Sequence, residues 1–154
     1  MKIELQKPTA AFVGASWTAM FIGMGAYLIG LWNSSMLLNE KGFYFVVMLL
    51  GLFAAVSLQK SVRDKIENIK VTSIYIAICW VSFALSLLLL VVGLFNATLE
   101  LSEKGFYAMS FLLALFSSIA VQKNIRDLAL FEEALPKVET IEIETQEDTS
   151  QNKL

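Results

Sequence analysis

The chain has 154 residues, 56% of them hydrophobic and 17% charged, with 12 basic and 14 acidic side chains and no histidine. A soluble domain carries about 25% charged residues, and here the charges are also segregated, since none occurs in Pro8–Asn39, Gly42–Gln59, Val71–Leu99 or Gly105–Gln122. That pattern excludes a water-soluble enzyme domain, a nucleic-acid binder with a basic face and a disordered chain.

A bilayer core of roughly 30 Å takes about 20 apolar helical residues at about 1.5 Å each, and all four runs qualify as spans. The first has Ala10–Trp32 as its apolar body. It exceeds the roughly 7–15 residues of a signal-peptide core, and Glu4 spoils a purely positive leader, so a retained helix is expected. The second, Gly42–Leu58, is short, but the long stems of Glu40, Lys41, Lys60 and Arg63 at its flanks can reach the headgroups. The third, Val71–Phe95, is full length, and the fourth, Gly105–Val121, is again short. No run shows the period-2 alternation of a membrane barrel or the polar stripe of a soluble bundle helix. Beyond the fourth span, Leu128–Leu135 can extend the helix and Pro136 is expected to end it. Lys137–Leu154 then reads as a mobile acidic tail whose removal leaves membrane insertion unchanged.

Shifted by 63 residues, Gly30–Asp64 aligns with Gly93–Asp127 at 17 identities in 35 positions. GLWNSSMLLNEKGFY meets GLFNATLELSEKGFY, QKSVRD meets QKNIRD, and Trp17 falls on Trp80. The fold class expected is therefore an all-α polytopic membrane protein of four transmembrane helices, built from two parallel helical-hairpin repeats. An N-terminal stretch (1–7) leads into the first repeat (8–64), and a linker (65–70) joins it to the second (71–127), which the tail (128–154) follows. Each unit crosses twice, so a pseudo-twofold axis along the membrane normal relates them rather than an inversion. Neither proline, Pro8 or Pro136, breaks a span. Ten Lys and Arg residues lie on the side of the termini and the linker, against Lys41 and Lys104 on the other. This places both termini in the cytoplasm and both hairpin turns outside.

Without histidine, and with Cys79 as the one cysteine, a His or Cys/His metal site, a Ser-His-Asp triad and an internal disulfide are all excluded. No cofactor is expected, and Cys79 reads as a packed thiol. The spans hold no ionisable residue of the kind that marks a proton relay. Ser16, Thr18, Ser57, Ser73, Ser82, Ser86, Ser110, Ser117 and Ser118 are expected to pack helices and bond the preceding turn rather than line a path. Small residues recur at Ala11, Ala15, Ala19 and Gly23, a candidate oligomer face, while Gly51/Ala55 and Ala114/Ser118 are assigned to the bundle.

The sharpest features are the motifs at the two membrane edges. On the outer edge Asn39 and Ser102 are expected as N-caps, with Glu40 and Glu103 in the first turn. Lys41, Phe43 and Tyr44, with Lys104, Phe106 and Tyr107, are expected to anchor the helices at headgroup depth. On the inner edge Gln59, Lys60, Arg63 and Asp64 recur as Gln122, Lys123, Arg126 and Asp127, each set at i, i+4 spacing. Anchoring is one reading of these clusters, and contact with anionic headgroups or a protein partner is the other. Asn33-Ser34-Ser35 and Asn96-Ala97-Thr98 match a glycosylation acceptor but read as polar helix ends.

Taken together, LWN at 31–33, NEKGFY at 39–44, GLF at 51–53, QKSVRD at 59–64, LFNATL at 94–99, SEKGFY at 102–107 and VQKNIRD at 121–127 carry a resemblance. The chain resembles the YiaA/YiaB family of bacterial inner-membrane proteins, in the YiaA form with two copies of the YiaAB two-helix domain. The resemblance covers Pro8–Asp127 and implies four inner-membrane helices with cytoplasmic termini, but no enzymatic activity, ligand or functional residue. The function expected is non-enzymatic, exerted through helix packing, lipid contact, a homo-oligomer or a membrane partner, in an envelope-related response. A small transporter or channel is the alternative.

Overall fold

The computed structural model describes residues 7–151, with side chains through residue 134. Lys2, Glu4 and Lys153 lie outside the described residues. Four helices follow one another, α1 (Ala10–Asn33), α2 (Leu38–Ile66), α3 (Ser73–Asn96) and α4 (Leu101–Gln151). Each is long and apolar enough to cross a membrane, as the uncharged runs predict. Thr9 begins α1, its hydroxyl accepting from the Phe12 amide at 3.3 Å. Short turns, Ser34–Leu37 and Ala97–Glu100, join the helices of each repeat. Between the repeats α2 closes in a Schellman motif: Asn68 takes a positive φ of 59°, its amide donates to the Lys65 carbonyl, and the Ile69 amide donates to Asp64 at 2.8 Å.

The packing partners are not those the short turns suggest. A tight turn makes antiparallel neighbours of α1 and α2, yet the two touch little along their length. Instead α1 lies chiefly along α4 and α2 along α3, with α2 against α4 between them. Each repeat thus gives its first helix to the other repeat's second helix. The pseudo-twofold axis exchanges α1 with α3 and α2 with α4, and burial follows it position by position. Tyr44 and Tyr107, Met48 and Phe111, Ala55 and Ser118, Leu31 and Leu94 are all interior. Facing outward, Trp32 and Phe95 are each 83% exposed, and Phe53 and Phe116 are 71% and 72% exposed. Apolar rings displayed around the whole circumference suit lipid and would be insoluble in water.

Four expectations change in detail. The helical hairpin is a connected pair but not a packed one, because its apolar faces are better filled by the other repeat. Asn39 and Ser102 fall inside the first turns of α2 and α4 rather than at their caps. Glutamates reaching back to the backbone do the capping there. Of the small-residue stripe on α1, Gly23 is interior, since a Cβ there would lie 2.7 Å from the Ala114 amide nitrogen of α4. Only the Ala11 and Ala15 end of the stripe is exposed. Finally, Pro136 does not end α4, whose backbone stays helical to Gln151, so the expected mobile tail is helix over its described part. A proline inside a helix costs about 3 kcal/mol through one lost hydrogen bond and a ring clash. Propagation is cooperative, however, and the helix runs on to Gln151.

Candidate functional site

At the end of the bundle that holds the two hairpin turns, the duplicated Glu-Lys-Gly-Phe-Tyr segments each perform the same set of contacts. Glu40 Oε2 accepts from the Leu37 amide at 2.8 Å, and Glu103 Oε2 accepts from the Glu100 amide at 3.0 Å. Each carboxylate satisfies a donor at the positive end of its own helix. The adjacent lysine turns the other way: Lys41 Nζ donates to the Trp32 carbonyl at 2.9 Å, and Lys104 Nζ to the Phe95 carbonyl at 3.4 Å. A cation thereby closes the negative end of the preceding helix. Asn33 and Asn96 turn back on their own helices, donating to Ile29 and Val92, as polar helix ends should.

The aromatic pairs cross between repeats. A Cβ on Gly30 would meet Phe106 Cε1 at 2.7 Å, and one on Gly93 would meet Phe43 Cε1 at the same distance. The two glycines are therefore seats for the other repeat's rings. Phe43 and Phe106 are partly exposed, as interfacial anchors would be, but Tyr44 and Tyr107 are buried and stack on each other with centroids 6.2 Å apart. The tyrosine half of the expected outer anchor is thus core, because each ring has protein on every side. Tyr27 completes the cluster, edge-on to Tyr107 and donating its hydroxyl to the Tyr44 carbonyl at 3.1 Å. Two clefts of about 430 and 320 Å³ flank this cluster, lined by equivalent residues that include Gly93, Asn96 and Glu40 in one and Gly30, Asn33 and Glu103 in the other.

At the opposite end, where α1 begins, the structure brings the two inner-edge motifs into one network. Arg63 pairs with Asp64 at 3.0 Å and approaches Glu67 at 3.7 Å. Arg126 donates through Nε to Asp127 at 2.9 Å and reaches the same Glu67 at 3.7 Å, so one carboxylate ties α2 to α4. Lys123 donates to Asp127 at 2.6 Å. Burial pushes the Asp127 carboxyl up, but the hydrogen bonds from Lys123 and Arg126 outweigh it and hold the group below its usual range. Lys60 is exposed. Gln59 and Gln122 bury their carbonyl oxygens without a partner.

One residue here was quoted in the sequence motifs but given no role. Asn124 is fully buried and donates through Nδ2 to Ser16 Oγ at 3.1 Å, while its Oδ1 has no hydrogen-bond partner among the described residues. The equivalent contact in the other half is Ser61 with Cys79 at 3.7 Å, which explains the thiol as a packed helix contact. The signal lay in QKSVRD against QKNIRD: a serine replaced by a larger amide inside an otherwise matching motif. Asn124 also lines a pocket of about 240 Å³ with Lys7, Thr9, Phe12, Lys123 and Asp127.

Against known proteins, the yiaA/B two helix domain matches twice, at residues 12–64 and 75–127. The inner membrane protein YiaA of Escherichia coli (strain K12) is 57% identical over 129 residues, which is 84% of this chain and 88% of that protein. YubF, a membrane protein of Bacillus subtilis (strain 168), is 39% identical over 64 residues, 41% of this chain and 74% of its own length. The inner membrane protein YiaB of Escherichia coli (strain K12) is 26% identical over 67% of this chain and 88% of its own. No solved structure matches.

Proposed function

The chain belongs to the YiaA/YiaB family in its two-domain YiaA form, and from that premise we propose a non-enzymatic inner-membrane protein, both termini cytoplasmic, that holds anionic phospholipid at its cytoplasmic edge. The observation that carries this reading is where unpaired polar atoms lie. Among the described residues, the buried side-chain atoms without a hydrogen-bond partner are Gln59 Oε1, Arg63 Nε, whose nearest carboxylate is Glu67 at 3.7 Å, Gln122 Oε1 and Asn124 Oδ1. All four sit at the end where the termini lie, two of them at equivalent positions of the two repeats. A buried group left unsatisfied costs roughly 1–3 kcal/mol. A headgroup hydroxyl arriving from the interface would donate to such a carbonyl oxygen and recover that cost, while the phosphate it carries would meet the cations of Arg63, Lys7, Lys60 and Lys65 around the same edge.

The serines support binding over transport. Ser16, Ser86, Ser110, Ser117 and Ser118 each donate to a carbonyl three or four residues earlier on their own helix, so these hydroxyls are already spent on the backbone. The test uses full-length protein in nanodiscs of mixed phosphatidylglycerol and phosphatidylcholine, read by native mass spectrometry. Wild type should retain phosphatidylglycerol in excess of its bulk fraction, and the Arg63→Gln/Arg126→Gln variant, which leaves Asp64 without its arginine and Asp127 with Lys123 alone, should lose that excess. Equal retention of the two lipids by wild type would overturn the reading. Saturable solute flux in liposomes would favour a transporter.

A further inference from the structure

We propose that the pocket between the start of α1 and the α4 segment 123–127 is a single, built site for a phosphodiester headgroup bearing a hydroxyl donor. This rests on the lipid-binding reading above and names where one molecule sits. The pocket of about 240 Å³ holds two ammonium groups, Lys7 and Lys123, and one carboxylate, Asp127. The balance of one net positive charge suits a ligand of one negative charge, which a phosphodiester carries. Lys7 Nζ lies 5.7 Å over the Phe131 ring, and Lys123 pairs with Asp127, which sets both cations beside the pocket. The N-terminus of α1, which opens at Thr9 on the same pocket, adds its partial positive charge.

Asn124 supplies what charge alone does not. Ser16 Oγ already donates to the Phe12 carbonyl at 2.8 Å, so it can only accept from Asn124, which fixes the amide with Nδ2 toward Ser16. Among the described residues the carbonyl Oδ1 is left buried and without a hydrogen-bond partner, in a side chain that lines the pocket. An acceptor so placed calls for an O–H or N–H donor beside the phosphate. A glycerol headgroup brings both the single negative charge and the hydroxyl, whereas choline brings no donor. The equivalent place in the other repeat has Ser61 for Asn124, so the pseudo-twofold relation does not duplicate the site and one ligand per chain is expected.

The same chemistry could come from a lipid or from a soluble glycerophosphodiester, and the experiment separates them. Full-length wild type and Asn124→Ser are compared in phosphatidylglycerol/phosphatidylcholine nanodiscs by native mass spectrometry, and in detergent by titration with glycerophosphoglycerol. Asn124→Ser installs the residue that the other repeat already accommodates, and its thermal melt reports whether the bundle is intact. Wild type should keep one tightly held phosphatidylglycerol per chain and Asn124→Ser about tenfold less at an unchanged melting temperature, with Lys7→Gln reducing it likewise. Asn124-dependent binding of glycerophosphoglycerol supports the same site with a soluble ligand, and binding confined to the nanodiscs supports the lipid. Equal retention by wild type and Asn124→Ser in both arms overturns the site. If wild type still prefers phosphatidylglycerol while Asn124→Ser matches it, only the pocket fails and the broader reading stands. If wild type shows no preference, both fail.

Discussion

Gly23 is the residue on which the contact between α1 and α4 depends most directly. What faces its missing Cβ is the backbone of Ala114, at 2.7 Å from the nitrogen and 3.1 Å from Cα, and backbone cannot rotate aside as a ring end can. Gly23→Ala should therefore separate the two helices and cost about 1–3 kcal/mol, as overpacking does. Gly14→Ala and Gly25→Ala, where nothing lies within 4 Å, should be neutral or gain up to about 1 kcal/mol of helix propensity. Thermal melts in one detergent would rank the three, and a Gly23→Ala melt equal to the controls would contradict the packing. Glu67 makes the contrasting case. It bridges Arg63 and Arg126, but at 3.7 Å to each and with its side chain 46% exposed, so Glu67→Gln should change stability by less than about 1 kcal/mol. At this scale the sequence showed which residues recur but not what they meet. Gly23 was visible as one of a small-residue stripe, yet a stripe offers the same close approach to a helix of its own chain or of another. Tyr44 stood beside Phe43 in the same motif, and only the inter-repeat contact makes one ring core and the other rim.

At the scale of elements, the capping chemistry can be tested by single substitutions at helix ends. Asn68 holds the left-handed position of the Schellman motif that ends α2. A β-branched residue there is penalised by contact of Cβ with the carbonyl, so Asn68→Val should lose roughly 1–2 kcal/mol, whereas Asn68→Gly should be neutral or slightly stabilising. Chemical denaturation of the two variants against wild type checks the sign, and equal loss in both would show that the turn is not what limits stability. The four spans themselves were legible because charge segregation needs no knowledge of partners. Helix ends were legible only to within a residue or two. Asn39 and Ser102 look like caps by residue type, but the glutamate that follows each one reaches back past it, so both helices begin earlier. The run beyond Pro136 departs from expectation for a related reason. Proline and an acidic composition predict a break, and the backbone instead accepts one missing hydrogen bond within a long helix.

For the molecule as a whole, the exchange of helices between repeats decides what each half can do alone. The duplication and its parallel sense were readable in the chain, as was the apolar face of every helix. The pairing of α1 with α4 rather than with α2 was not, because related repeats present related faces and either pairing satisfies the pattern. Given the observed pairing, a half cut from the other loses the surface on which both of its helices lie. Residues 1–68 and 69–154 expressed together should therefore reassemble and co-purify through a tag on either one. The first half alone has Gly51 where α4 offers Ala114, Ser61 where it offers Asn124 and Met48 where it offers Phe111. Two copies of that half can thus repeat the same architecture with a looser core, and the half should run as a dimer that melts below the reassembled pair. Crosslinking in the membrane, with Ser16→Cys and Ser61→Cys in the first half, which has no native cysteine, reads the result directly, because in the full chain Ser16 meets Asn124 at 3.1 Å and Ser61 meets Cys79 at 3.7 Å. A disulfide between copies is expected, because α1 of one copy then takes α2 of the other as it takes α4 in the full chain. A half that stays monomeric with its helices intact would show that the turn, and not the exchange between repeats, holds the pair together.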